Sequence, residues 1–319
     1  MSEITLSLIA AYDKNRVIGS KGALPWPMVK TDMDRFKKLT TGHPVIMGRS
    51  TYESLPDSFR PLPGRLNIVL SRGEYKGDGK CVVVSTVLDA LKAVGESEGF
   101  EETFVIGGEQ MYKLFLPYAR KVYATELDAS YKGDAFFPEL PKAEWKEIGV
   151  PEKFEAGPKN AHAGVFRVFE TTRPWKRVVA PEMGRNETYR ADLRAINVMG
   201  ACPFCPGGKT LAVQEMIAEN ESWYVTFNYS PHENSKYHFL FISKQHYVSH
   251  SDMNGDEFKR LSDLLEVLKK KYEFSTGFLY GREGPEPESV GATVYHLHFH
   301  YIVPEAGKAV KIFFGPITH

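Results

Sequence analysis

PVIMGRSTYES, residues 44–54, runs from a short apolar segment into Gly-Arg-Ser-Thr. Four apolar residues closed by a glycine read as a buried strand. Gly48, Arg49, Ser50 and Thr51 then open a helix, where exposed backbone N–H groups suit a phosphate and Arg49 adds charge. A plain strand-to-helix turn looks the same, so the neighbours must decide. FVIGGEQMY, residues 104–112, repeats the layout, with Gly107-Gly108 between strand and helix. Further strand-like runs lie at 4–11, 66–71, 81–85 and 121–127, and helical patterns at 32–39, 87–94 and 109–115. GVFRVFETT, from residue 164, closes the series. Strands alternating with helices imply a mostly parallel sheet with helices on both faces.

Two more stretches flank this core. In GALPWPMVKTDMDRF (22–36), Asp32 follows an apolar, Pro-rich loop and opens a helix that also carries Phe36. A partly buried carboxylate there has a raised pKa and suits the amidine-like edge of a heterocycle. A first-turn acid favoured by the helix dipole is the structural alternative. In RPLPGRLNIVLSR (60–72), a rigid turn presents Arg65, a guanidinium suited to a carboxylate, unless it is a solvated surface arginine.

The chain has 319 residues, 42% hydrophobic and 25% charged, with zero formal net charge. That length suggests two domains, and neither half is basic, which argues against a nucleic-acid grip. The N-terminal apolar run is short, lacks a basic leader and is not expected to be a signal peptide. No segment reaches the length needed to span a bilayer. Three cysteines speak against a disulfide framework and for a reducing compartment, so the cytoplasm is expected.

Residues 173–195 are charged, contain two prolines and show no clean period, and read as a linker or docking segment. Beyond them the vocabulary changes. ESWYVTFNYS, YHFLFIS, GFLYG and ATVYHLHFHYIV read as strands, and DEFKRLSDLLEVLKKKYEF is a helix with an apolar stripe. This order suggests an α+β domain, an antiparallel sheet with helices on one face. HLHFH (296–300) lies on the last of these strands, whose alternation puts His296, His298 and His300 on one side. Three adjacent imidazoles call for a metal, a phosphate or a network that keeps them neutral. Cys202-Pro-Phe-Cys205 has the spacing of a metal knuckle, with a redox dithiol as the alternative.

In order, SLIAA, NRVIG, LPWP, Asp32 with Phe36, PVIMGR, TYES, RPLPGR-N-IVLS and VIGG resemble dihydrofolate reductase over nearly all of residues 4–172, which assigns that domain to residues 1–172. The resemblance implies that family's mostly parallel sheet with flanking helices, and hydride transfer from NADPH to dihydrofolate. It implies Asp32 as the pterin-bound acid, with Ile9, Ala10, Phe36, Leu55 and Thr125 around the substrate and Arg65 on the glutamate carboxylate. It implies cofactor contacts from Ala11, Ile18, Gly19, Leu24, Gly48, Arg49, Ser50, Thr51, Leu70, Ser71, Arg72, Ile106, Gly107, Gly108 and Tyr112, and a cis peptide at Gly107-Gly108. GSKGALPW (19–26) matches the mobile loop over the nicotinamide. Tyr52 stands where Trp is common. A reductase of another pterin or flavin ring is the rival that Asp32, Phe36 and Arg65 argue against.

CPFC, YHFLFISKQH, the amphipathic helix and G-x-T-V-Y-H-L-H-F-H resemble a histidine-triad (HIT) domain, assigned to residues 196–319. The resemblance implies His298 as the nucleophile that forms a nucleotidyl-histidine, assisted by His300. His238 and Thr293 would contact phosphate, and Cys202, Cys205, His246 and His296 would hold a structural zinc. Asn228 stands in for a ribose-binding acid, and YGREGPEPESVGA (280–292) is longer than usual. The partners implied are small molecules, dihydrofolate and nucleotides, with no nucleic acid or membrane, and a homodimer through the HIT domain. A non-catalytic nucleotide-binding, dimerising module is the second reading.

Overall fold

The computed structural model describes residues 3–175, 177–184, 186–205, 215–229, 231–281 and 293–312. The chain divides into two compact units, Met1–Trp175 and Lys176–His319.

In the first unit the strands are β1 Thr5–Tyr12, β2 Val17–Gly19, β3 Val45–Gly48, β4 Asn67–Leu70, β5 Val82–Val84, β6 Glu102–Gly107, β7 Lys121–Leu127, β8 Ala135–Phe136, β9 Trp145–Phe154 and β10 Gly164–Thr171. The helices are α1 Lys30–Thr40, α2 Arg49–Ser54, α3 Val87–Gly95 and α4 Glu109–Phe115. Eight strands form one sheet in the order β5-β4-β3-β6-β1-β7-β10-β9, and β2 pairs with β8. Pairing is parallel from β5 to β7 and antiparallel where β10 meets β7 and β9. The central strands are largely apolar because both faces are covered: Leu6, Leu8, Ile46, Met47, Ile68, Val69 and Val105 are fully buried. Chain order reverses around β3 and β6, which lie side by side. Helices α2 and α4 therefore begin at adjacent carboxyl ends, the usual crevice for a ligand in an open α/β sheet. Edge strand β9, almost wholly exposed after Trp145, escaped the sequence reading because it buries too little to show a pattern.

The second unit contains α5 Glu187–Met199, β11 Ala218–Glu219, β12 Trp223–Phe227, β13 Ser235–Ser243, α6 Gly255–Tyr272, β14 Phe278–Gly281 and β15 His298–Pro304. Its five-stranded sheet is antiparallel, in the order β11-β12-β13-β15-β14. Leu261, Leu264 and Leu268 of α6 pack on Trp223, Phe239, Phe241 and Tyr301. Asn254 and Glu257 cap α6 reciprocally.

Two expectations are corrected here. The stretch 173–195 is not a bare linker: Val178 and Val179 are buried, and α5 occupies its second half. Leu193 and Ile196 of α5 pack on Leu240 and Ile242, so helices cover both faces of the sheet rather than one. Alternating charges hid that short apolar stripe, although Asn186 as the N-cap and Gly200 with φ 64° at the other end are local signals of a helix. Secondly, β15 begins at His298, so His296 precedes the strand. Most of the 280–292 loop lies outside the described residues. Among the described residues, no helix is long and apolar enough to cross a membrane.

Candidate active sites

Asp32 lies in the first turn of α1. Burial raises its pKa, opposed by a hydrogen bond from Thr125 and by the Arg35 cation. Thr125 is buried on β7, directly across from Ala11 of β1. Ile9 packs in one cluster with Tyr52, Leu62, Phe104 and the half-buried Phe36, Leu55 and Ile106. Strand alternation turns Ala10 to the opposite face from Ile9 and Ala11, so only its backbone can line this pocket. Tyr52 is buried and donates to Asp78 at 2.9 Å.

Arg65 is held at two points. Its Nη1 donates to Thr40 Oγ1 at 2.8 Å and its Nε to Pro63 O at 3.1 Å. The guanidinium carbon stands 5.8 Å from the Phe36 ring centre. Asn67, which sequence reasoning passed over, fixes the turn beneath it: the side chain accepts from Leu62 N–H and donates to the carbonyls of Leu62 and Arg65. Arg35 was also missed, since an arginine within a polar helix carries no signal of burial.

At the strand ends, Gly107-Gly108 is a cis peptide, as is Arg60-Pro61. Gly107 has φ 116°, and a Cβ there would stand 3.0 Å from the Tyr112 hydroxyl. Tyr112 donates to Ile9 O at 2.8 Å, tying this turn to the Asp32 pocket. A Cβ on Gly108 would lie 3.4 Å from Thr51 Oγ1, so the two predicted phosphate turns touch. Gly48 and the exposed Arg49 and Ser50 stand at the same rim. Arg49 pairs with Glu53 at 2.9 Å and lies over Tyr75. Leu70 is buried at the end of β4, Ser71 N–H donates to Val84 O, and Arg72 donates to Gln110 at 3.0 Å. Ile18 and Gly19 belong to β2, and Leu24 in the loop beyond is 57% exposed while Trp26 is 7% exposed.

In the second unit, Cys202, Cys205, His246 and His296 place one ligand atom each within 4.8 Å of one another. Cys202 Sγ is 3.3 Å from His296 Nδ1, and Cys205 Sγ is 3.2 Å from His246 Nδ1. The outer nitrogen of His296, Nε2, donates to Ser243 O at 2.7 Å, which turns Nδ1 toward the sulfurs with its lone pair exposed. Burial pushes the Cys202 thiol up to about 12 and His296 down to about 4. Two sulfurs and two imidazole nitrogens at this separation suit a tetrahedral zinc.

The other histidines make different contacts. His298 Nδ1 lies 2.7 Å from His296 O, so Nδ1 carries the proton and Nε2 the lone pair. His232 N–H donates to His238 Nδ1 at 3.2 Å, which leaves the His238 proton on Nε2, 2.8 Å from His300 Nδ1. The Tyr280 ring stacks on His300 with centres 4.6 Å apart, and its hydroxyl meets His232 Nε2 at 2.9 Å. His238, His298 and His300 are all buried on the face of Leu240 and Ile242. Thr293 Oγ1 contacts the Tyr189 hydroxyl at 3.1 Å, a partner from α5 that the linker reading had concealed. Asn228 has its amide 3.0 Å from His238 Nε2.

Residues 5–171 match the dihydrofolate reductase family model. The dihydrofolate reductase of Staphylococcus haemolyticus is 38% identical over 54% of this chain and 99% of its own length. That of Bacillus subtilis is 40% identical over 52% of this chain and 94% of its own. A structure of dihydrofolate reductase from Enterococcus faecalis complexed with NADP(H) and RAB-propyl covers 53% of this chain and 97% of that one, at 29% identity and TM-score 0.48. Residues 201–311 match the model described as scavenger mRNA decapping enzyme C-term binding, a histidine-triad domain.

Proposed function

The chain belongs to the dihydrofolate reductase family, and from that premise we propose that it reduces 7,8-dihydrofolate around Asp32 and cleaves or transfers nucleotides at His298. The first activity is supported by one arrangement: Asp32 shares its helix with the half-buried Phe36, whose ring centre lies 5.8 Å from the guanidinium carbon of the pinned Arg65. Asp32 binds the amidine-like edge of the pterin and supports the proton destined for nitrogen 5. Phe36, Ile9 and Leu55 enclose the ring and aminobenzoyl group, and Arg65 takes the glutamate carboxylate. NADPH, when bound, supplies the hydride for carbon 6. The touching glycine turns, with Arg49, Ser50, Thr51, Ser71 and Arg72, would hold its phosphates, where bare backbone leaves room that a Cβ would fill. The loop from Gly19 to Trp26 would exclude water. Asp32→Asn must abolish most tetrahydrofolate formation at neutral pH; unchanged turnover would refute this assignment.

For the second unit the supporting observation is the His298 Nδ1 contact with its chain neighbour's carbonyl. It leaves Nε2 able to attack an α-phosphorus; the Nε2–P bond forms as the bond to the leaving group breaks. Water then cleaves the nucleotidyl-histidine. His300, oriented by His238, serves the leaving group and phosphate oxygens, with Thr293 beside them. Cys202, Cys205, His246 and His296 would hold a zinc ion with four protein ligands, and its role would then be structural. The test panel is an adenosine phosphoramidate, a diadenosine polyphosphate and a cap dinucleotide. Turnover lost in His298→Ala, with folate reduction retained, supports catalysis. Binding without turnover of any of them would favour the non-catalytic module.

A further inference from the structure

Asp32 and Arg35 stand three residues apart on α1 and so share a helix face. Arg35 is not a solvated cation. Its guanidinium carbon lies 4.4 Å from the Phe166 ring centre and 5.9 Å from that of Tyr123. Nη1 reaches Ala124 O at 3.3 Å and Thr125 Oγ1 at 3.4 Å, and Nη2 reaches Arg167 O at 3.5 Å. Thr125 is the residue whose hydroxyl draws the pKa of Asp32 down against its burial. A hydroxyl has one proton and two lone pairs. With Arg35 donating to a lone pair, the Thr125 proton remains available to the carboxylate.

We infer that Arg35 is a positioning residue of the reductase: it anchors the Thr125 hydroxyl through Nη1 and sets a cation on the same helix face as Asp32. This rests on Asp32 being the pterin acid. Among the described residues, the charged and titratable groups that act on the pair come from three other elements. Tyr123 of β7 faces Arg35, as does Glu152 of β9, which stands opposite Phe166 of β10. Tyr112 of α4 faces Asp32. The Arg167 side chain is engaged with Glu126 and Glu147 and does not compete for Asp32.

The test is the pH profile of NADPH-dependent dihydrofolate reduction in the full chain, for Arg35→Leu, Arg35→Gln, Arg35→Lys and Asp32→Asn. Removing an opposite charge at this range shifts a carboxyl by about one unit. Arg35→Leu and Arg35→Gln should therefore move the midpoint of the profile upward by about one pH unit, and Arg35→Lys should restore the parental midpoint. Gln keeps donors without charge, so it gives the answer even where Leu does not fold. A parental midpoint in Arg35→Gln, whatever happens to KM or thermal stability, overturns the inference and leaves Arg35 structural. A parental rate and profile in Asp32→Asn instead overturns the pocket assignment itself, which separates the two failures.

Discussion

Arg65→Leu isolates recognition of the substrate's tail from the chemistry at its ring. The guanidinium has five N–H donors, two of which are committed to Thr40 and Pro63. The rest suffice for a two-point grip on a carboxylate. A hydrogen bond to a charged group contributes about 1.5–3 kcal/mol, and Arg65 is half-buried, so the lower figure applies to each. The loss is then about 3 kcal/mol, on the order of 100-fold in affinity. Because the tail is remote from carbon 6, the effect should fall on dihydrofolate binding and leave kcat within a few fold. Equilibrium binding and steady-state kinetics are measured with dihydrofolate and with a reduced pterin lacking the aminobenzoylglutamate. The truncated substrate should show almost no difference between parent and variant. If it loses as much as dihydrofolate, or if dihydrofolate affinity falls less than about threefold, Arg65 does not hold the carboxylate.

Three further outcomes follow from the same geometry. Burial raises the folded-state pKa of Asp32 above its unfolded value, so the stability this gives is present at acid pH and is lost as pH rises through the folded pKa. Asp32→Asn should match the parent's urea midpoint at acid pH and exceed it increasingly above the ordinary carboxylate range; a pH-independent gap contradicts the buried acid. Elemental analysis should find about one zinc per chain, falling to near zero in Cys205→Ser with dihydrofolate reduction preserved. Leu268→Ala empties a fully buried site under the second sheet and should cost about 2–5 kcal/mol in denaturant unfolding of that unit.

Apolar runs separated by helical periods were enough to read the mostly parallel sheet, because a strand buried on both faces must be apolar along its length. PVIMGR, FVIGG and the Asp32 and Arg65 segments likewise carried their chemistry in local order, since a turn or a first helical position is set by neighbours in the chain. The Cys-x-x-Cys pair and the alternating histidines were legible for the same reason. Other features needed the third dimension. Arg35 reads as one more charge on a polar helix until β7 and β10 close over it and bring Thr125 to 3.4 Å. The division of the histidine row depends on β15 starting at His298, which frees the His296 ring to turn back to Cys202 and Ser243. Helix α5 is polar enough to pass for a connector, and only the sheet that receives Leu193 and Ile196 shows which face it buries. Local pattern specifies elements and turns because those interactions span few residues. Which distant groups meet, and hence which are buried or oriented, is settled by packing between segments that the sequence keeps far apart.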